Sequence, residues 1–355
     1  MQEQNIIITH NILKTLEEEV SKLNCDKIFI ISDSNTTKYC LPMVENAPFL
    51  MEANHISIPS GDNYKNIDTL SFIWKNLSTL AASRKSLLIN IGGGMVSDMG
   101  AFAASTFKRG MQCINIPTTL LAMIDASLGG KTGINFNGYK NEIGAFYEAD
   151  AVIIDMQFLK TLDRENLLSG YAEMLKHGLI SPITHYSELI NFDFENPDWQ
   201  LLAQLVEESI TVKKEVVNAD PFEKGLRKIL NVGHTIGHAF ESFALHHDKP
   251  ILHGYAVAWG LICELYIAHR LCDFPVEELR PIIDMIKEEY GVFEINCKEY
   301  DELFNYILHD KKNTQGDGVI LMPLLKQRGE LALDIKIEKD LIYESFDFYQ
   351  DFMGI

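Results

Sequence analysis

The stretch Ser86–Gly100, SLLINIGGGMVSDMG, runs from a mainly apolar segment through Gly92, Gly93 and Gly94 into an alanine-rich helical pattern, AFAAS. A short, mainly apolar run without a polar face fits a strand buried on both faces. Glycines between such a strand and a helix let backbone approach a pyrophosphate and aim helix N-terminal N–H groups at it. The spacing departs from GxGxxG, because Ser97 stands where the last glycine belongs. A tight strand-to-helix turn without a ligand therefore remains the alternative. Asp98, just inside the helix, is either a carboxylate favoured by the helix dipole or a ligand contact.

Outward from this turn, KIFIIS (Lys27–Ser32), QCINIP (Gln112–Pro117) and AVIID (Ala151–Asp155) repeat the same pattern between helical segments. Alternating buried strands and helices predict a parallel sheet in a Rossmann-like α/β domain. Asp33 follows one strand and Thr118–Thr119 another. Each is by default a capping or turn residue, and each is also placed to meet a cofactor. After Thr161 the pattern becomes long amphipathic segments, Gln200–Val217, Gly225–Phe243, Gly254–Leu271 and Val276–Glu289. This divides the chain into an α/β nucleotide-binding domain, 1–161, and a mainly α-helical domain, 162–355, with the active site expected in the cleft between them. No Pro- or Ser-rich linker separates them, and no internal repeat is visible.

Bulk properties narrow the function. The net charge is -19, with 50 Asp and Glu against 31 Lys and Arg, which argues against nucleic acid as a partner and requires a local cationic pocket for any anionic substrate. Six scattered cysteines without a CxxC pair suit a reducing compartment. The N-terminus has neither the basic region nor the apolar core of a secretory leader. The apolar segment Ala256–His269 is interrupted by Glu264 and is too short to span a bilayer. A cytoplasmic enzyme is expected.

Three further segments carry chemistry. DASLGGKTGIN (Asp125–Asn135) sets Lys131 after two glycines, and GYKNEIG carries Lys140 and Asn141. Lysine beside glycine can hold phosphate or carboxylate, although an isolated lysine is more often solvated surface. In SGYAEMLKHGLI, Glu173, Lys176 and His177 share one helical face, as a simple ion pair or as a metal ligand beside a substrate-facing cation. LNVGHTIGHAFE (Leu230–Glu241) places His234 and His238 four residues apart, with His253 opening HGYAVAWG. No Glu follows the first histidine, so the HExxH protease pattern fails at its catalytic residue. Glu173 with two of His234, His238 and His253 would form a catalytic-zinc set with open positions. Spacing alone does not choose the two. His246 and His247 read as exposed loop residues.

Taken together, GGGMVSD, KRGMQCINIPTTLLAMIDASLGGKTGIN, KNEIGAFY, SGYAEMLKHGLI, Lys213–Arg227, LNVGHTIGHAFE, LHGYAVAWG and HDKKNTQG resemble the 3-dehydroquinate synthase family from Asp33 to Gly316. The resemblance implies conversion of 3-deoxy-D-arabino-heptulosonate 7-phosphate (DAHP) to 3-dehydroquinate and phosphate, a shikimate-pathway step. It implies NAD and one divalent cation, Zn2+ or Co2+, and a sequence of transient oxidation, phosphate elimination, re-reduction, ring opening and intramolecular aldol closure. By the same resemblance the metal ligands are Glu173, His234 and His253. His238 belongs instead to substrate and proton handling. Substrate contacts fall on Asp125, Lys131, Asn141, Lys176, Lys213, Arg227, Asn231 and Lys312, or else Lys311; of these Lys131, Lys176, Lys213, Arg227 and Asn231 act in catalysis with His238. NAD contacts fall on Asp33, Asp62, Lys65, Gly93, Gly94, Asp98, Thr118, Thr119 and Lys140. Arg109 is implied to reach the neighbouring active site of a homodimer.

Two departures stand out. His253–Gly254–Tyr255 replaces the family's usual HGE, and GGGMVSD alters the residues after the glycines while keeping Asp98. Rival readings are another sugar phosphate cyclase, such as a 2-deoxy-scyllo-inosose or 2-epi-5-epi-valiolone synthase, a metal-dependent glycerol-type dehydrogenase, and a silent binding protein descended from the enzyme. Arg227, Asn231 and His238 together favour the acid-bearing substrate.

Overall fold

The computed structural model describes residues 4–137, 139–182, 186–308 and 319–355. The chain falls into two compact units, Met1–Asp163 and Arg164–Ile355. The first contains β1 (Ile6–Thr9), α1 (Ile12–Leu23), β2 (Ile28–Asp33), α2 (Ser34–Tyr39), β3 (Asn54–Ile58), α3 (Ile67–Thr79), β4 (Leu87–Gly92), α4 (Gly94–Thr106), β5 (Gln112–Pro117), β6 (Lys131–Phe136), β7 (Tyr139–Phe146) and β8 (Ala151–Asp155).

Six of these strands form one sheet in the order β1-β8-β5-β4-β2-β3, every pairing parallel. All residues of β4 and β8 are buried, as continuous apolar strands with no polar face must be. The chain steps from β2 outward to β3, then returns to β4 on the other side of β2 and continues to β5. The carboxyl ends of β2 and β4 therefore flank a topological switch point, where open α/β sheets bind ligands. Asp33 ends one strand and Gly92 the other. The sheet edges β1 and β3 are short and partly exposed. Beside the sheet, β6 and β7 form an antiparallel hairpin.

The second unit contains α5 (Arg164–Ile180), α6 (Tyr186–Ile190), α7 (Trp199–Ala219), α8 (His234–His246), α9 (His253–Cys272), α10 (Val276–Tyr290), α11 (Tyr300–Leu308), the antiparallel pair β9 (Ile320–Gln327) and β10 (Glu330–Ile337), and α12 (Lys339–Met353). Helix α9 is the axis of this unit, packed by α5, α8, α10, α12 and β9. The continuous helix expected over Gly225–Phe243 is not formed. Leu226–Asn231 makes a 3-10 turn, Gly233 takes a left-handed φ of 80°, and α8 begins only at His234. Glycine meets that conformation without the penalty a Cβ would bring. Among the described residues no helix is long and apolar enough to cross a membrane.

Candidate active site

The glycine turn is built as the sequence predicts. Gly93 is the N-cap of α4. A Cβ on Gly93 would stand 3.0 Å from Thr119 Cγ2, and one on Gly94 3.1 Å from Ala126 Cβ. Close helix–strand packing, the usual task of the missing third glycine, falls to Gly100, where a Cβ would collide with the Asn90 side chain of β4. Ser97 is buried.

Around this turn the structure gathers most of the nucleotide-assigned residues. Asp33 caps α2, its Oδ1 accepting from Asn35 N at 2.8 Å and Thr36 N at 2.9 Å. Thr119 Oγ1 accepts from Ala122 N at 3.2 Å. Lys65 Nζ donates to Asp98 Oδ2 at 2.5 Å and to Asn141 Oδ1 at 2.5 Å. Lys140 Nζ lies 3.2 Å from Asp62 Oδ2. Burial pushes the Asp98 carboxyl up, against the pull of the Lys65 ammonium. The β6–β7 hairpin makes this cluster possible. Asn135 on β6 receives Asn141 N at 3.0 Å and donates from its own N to Lys65 O at 2.7 Å, bringing Lys140 and Asn141 to the loop after β3. Asn141, assigned to substrate, thus sits with Lys65 and Asp98. Lys131 is exposed at the start of β6 and lines a small polar cavity with Ser97, Asp98, Asn115, Ser127 and Thr132. Asp125 occupies a single π turn after Thr119. Arg109 is exposed in the turn after α4, at φ 68°.

In the helical unit three separate elements converge on Glu173. This α5 residue is wholly buried. Its Oε2 pairs with Lys176 Nζ one turn on. Its Oε1 lies 3.1 Å from His234 Nε2 and 3.4 Å from His253 Nε2. No bond of hydrogen-bond geometry reaches that buried oxygen among the described residues. Burial alone would push Glu173 up, but the Lys176 ammonium and the His234 and His253 imidazoles outweigh it and hold the carboxyl well below its usual range. One buried carboxylate oxygen facing two imidazole nitrogens is a donor set that suits a divalent cation.

The rings of His234, His238 and His253 form one cluster, with centroids 5.3 to 5.8 Å apart. Donor atoms of His238, Glu241 and His253 also lie within 4.8 Å of one another, so two candidate sets share His253. Their other nitrogens separate them. His234 Nδ1 is 3.1 Å from Val232 O, and His253 Nδ1 is 3.4 Å from Glu241 Oε2, which leaves both Nε2 atoms to Glu173. An Nδ1–H bonded in this way fixes the tautomer whose Nε2 binds metal.

Helices α8 and α9 approach closely enough to bring the rings together because glycines line their contact. A Cβ on Gly237 would stand 2.8 Å from Ala256 O, and one on Gly260 2.6 Å from Gly237 N, while Gly254 lets α9 approach α5, since its Cβ would overlap the Ser169 backbone. Tyr255 lodges in an aromatic group, 5.7 Å from Trp259 and 5.1 Å from Tyr290 between centroids.

Among the described residues, the other assigned cations of this unit are buried. Lys176 is 1% exposed, Arg227 1% and Lys213 6%, unusual for cations without a structural or ligand role. Arg227 Nη1 donates to Pro221 O at 2.6 Å, and Asn231 Nδ2 to Glu223 Oε1 at 3.0 Å. His177, expected on the Glu173 face, is buried with Nδ1 2.6 Å from Ser209 Oγ of α7. His246 and His247 are exposed as expected, but they end and cap α8 rather than lie in a loop. Lys311 and Lys312 lie outside the described residues. Sequence reading missed Glu241, although it falls one turn after His238 on the same helical face. It also noticed Glu264 only as an interruption of an apolar run.

The family model for the 3-dehydroquinate synthase N-terminal region matches residues 55–169, and that for the C-terminal region matches 170–313. The 3-dehydroquinate synthase of Parabacteroides distasonis is 49% identical over 355 residues, covering 100% of both chains. Among solved structures, a 2-deoxy-scyllo-inosose synthase complexed with carbaglucose-6-phosphate, NAD+ and Co2+ aligns with a TM-score of 0.83 at 25% identity, covering 96% of this chain and 95% of that one. A 2-epi-5-epi-valiolone synthase from Streptomyces hygroscopicus with NAD+ and Zn2+ bound shares the fold, with a TM-score of 0.85 at 22% identity and coverage of 99% and 98%. With a parallel-sheet unit carrying a glycine turn, a helical unit carrying a carboxylate–histidine cluster, and both halves of the family matched in order, the chain belongs to the 3-dehydroquinate synthase family.

Proposed function

We propose that the protein is a 3-dehydroquinate synthase, a phosphate-eliminating carbon–oxygen lyase that converts DAHP to 3-dehydroquinate with NAD and one divalent cation, Zn2+ or Co2+. The observation that carries this reading is the buried Glu173 Oε1, 3.1 and 3.4 Å from His234 and His253 Nε2, in a chain 49% identical over its whole length to a synthase of this kind. The cyclase neighbours are only 25% and 22% identical, which favours the synthase over them.

In this reading Glu173, His234 and His253 hold the cation, while the α4 glycine turn, Asp33, Asp62, Lys65, Asp98, Thr118, Thr119 and Lys140 hold the dinucleotide in the nucleotide-binding unit. When bound, the cation supplies Lewis acidity to a substrate hydroxyl, and the nicotinamide takes up and returns a hydride. Every other task falls to the protein. Lys176, Lys213 and Arg227, and by the family resemblance Lys131 and Lys312 or Lys311, give an acidic protein cationic groups for a carboxylate and a phosphate. Lys176 stands beside the carboxylate ligand, so its charge is fixed next to the substrate hydroxyls. Asn231 is held by Glu223 and orients the substrate, with Asp125 and Asn141 as further polar contacts. His238, one turn from His234 on α8, handles a proton. We further propose a cytoplasmic homodimer in which the exposed Arg109 of the partner subunit completes the phosphate site.

The assay is phosphate release from DAHP with substoichiometric NAD+ and Zn2+ or Co2+. Turnover without net NADH is expected. Stoichiometric NADH would point to a dehydrogenase and sink the reading.

A further inference from the structure

Helix α8 carries His234 as its first residue, yet its start has no capping side chain of its own. The N-cap position is Gly233, which offers no acceptor. The first N–H groups of a helix have no partner within it and need one from elsewhere. Here a different helix provides it. Glu264 of α9 accepts Gly233 N through Oε2 at 2.7 Å and Ile236 N through Oε1 at 3.0 Å.

Glu264 is 1% exposed and sits in the apolar stretch Leu261–Ala268. A carboxylate in such a setting is costly unless its oxygens are bonded, and both oxygens bond to the backbone on either side of His234. The same helix begins with His253, eleven residues, or about three turns, before Glu264. One side chain therefore ties the backbone around one histidine to the helix that carries the other. The glycine contact reinforces the tie, since a Cβ on Gly233 would meet the Leu261 side chain at 2.8 Å.

We infer that Glu264 is a positioning residue for the cation site: by capping α8 from within α9 it sets where His234 Nε2 falls relative to His253 Nε2. The inference rests on the reading in which Glu173, His234 and His253 hold the cation. His234 is the first residue of α8 and its Nδ1 is 3.1 Å from Val232 O of the same stretch of backbone, so a shift of the first turn of α8 carries the imidazole with it.

The test uses the full chain, stripped of metal and titrated with Co2+, read by chelator competition and by the visible ligand-field spectrum. Glu264→Gln keeps the volume and one acceptor but sets an NH2 group against a backbone N–H. It is expected to weaken Co2+ binding by about 10-fold or more and to change the band shape. Glu264→Asp keeps the charge but withdraws both acceptors by a methylene, and it too is expected to alter the spectrum. Leu202→Ala, a buried lesion in α7, serves as the control for lost stability and should keep the parent spectrum. Parent-like affinity and spectrum in both Glu264 variants would overturn the inference alone. So would changes no larger than those of Leu202→Ala at equal loss of Tm. Failure of the parent chain to bind Co2+, or unchanged binding by His253→Ala, would overturn the cation-site reading and the inference with it.

Discussion

Glu241 Oε2 lies 3.4 Å from His253 Nδ1, the ring nitrogen not turned toward Glu173. The buried carboxylate thereby holds the imidazole in the orientation and tautomer that a cation needs. Glu241→Gln should lower divalent-metal affinity about 10- to 100-fold while leaving the fold intact. Chelator competition measures this, and parent-like affinity would remove Glu241 from the site.

The three histidines should separate by function. His234→Ala and His253→Ala are expected to lose the bound cation, since each removes one of the two nitrogens facing Glu173 Oε1. His238→Ala should keep one cation per chain and lose turnover by about 100-fold or more, the scale of a proton-transfer group. Elemental analysis beside steady-state kinetics decides it. Loss of the cation in His238→Ala would favour the alternative set with Glu241 and His253.

Without metal, stability should depend on pH in a defined way. Burial disfavours charge on His253, but Glu173 and Glu241 on its two nitrogens outweigh it and push the imidazole up to about 9 from an ordinary 6.5. Its contribution is fully present below pH 6.5 and is lost as pH rises through 9. Glu173 is held below its ordinary 4.5, so its contribution is present above that pH and is lost as pH falls. Calorimetry of metal-stripped protein should show a plateau between 4.5 and 6.5 and an alkaline decline of roughly 3 kcal/mol at most. Saturating Zn2+ should abolish the decline, because the metal takes the neutral imidazole. An unchanged alkaline limb with metal would contradict the ligand role of His253.

Gly254→Ala tests the packing that gathers the rings. Its Cβ would overlap Ser169 backbone rather than a flexible side chain, so the helices cannot relax cheaply. We expect a loss of about 3 kcal/mol by urea denaturation. A loss below about 1 kcal/mol would show that α9 can move away from α5 without consequence.

Lys65 is buried between Asp98 and Asn141. Lys65→Met would leave the Asp98 carboxylate without its cation, at a cost of about 3 kcal/mol, and should weaken NAD+ binding in calorimetric titration. Asp98→Asn in the same background should recover part of the stability. No recovery would mean that Lys65 acts through packing rather than charge.

The central strands were legible because β4, β5 and β8 are mainly apolar runs, broken only by single polar residues such as Asn90 and Asn115, and each lies within one residue of its expected bounds. The edges were not. β3, NHISI, exposes every other residue and reads as loop. The β6–β7 hairpin was hidden by its composition, since Asn135, Asn137 and Lys140 are turn-like in isolation, and Asn135 and Lys140 gain meaning only by their contacts with Asp62. The start of α8 was misplaced because Leu226, Ile229 and Leu230 keep a helical period that Gly233 then breaks. In the site, glutamate and histidines were visible as a group, but i, i+4 spacing treats His234 and His238 alike. What sets His234 apart is its Nε2, 3.1 Å from Glu173 Oε1 on another helix, a relation that only the tertiary structure supplies.

Tyr255 and Trp259 also place a light-absorbing group inside the helix that begins with His253. Trp259 is 4% exposed, stacks on Phe293 at 5.3 Å and donates from its indole nitrogen to Gly291 O at 3.0 Å. Trp199 is 41% exposed, so external quenchers reach it first. With that residue quenched, the remaining blue-edge emission contains a reporter fixed to α9, and loading of the cation site can be followed optically without a label.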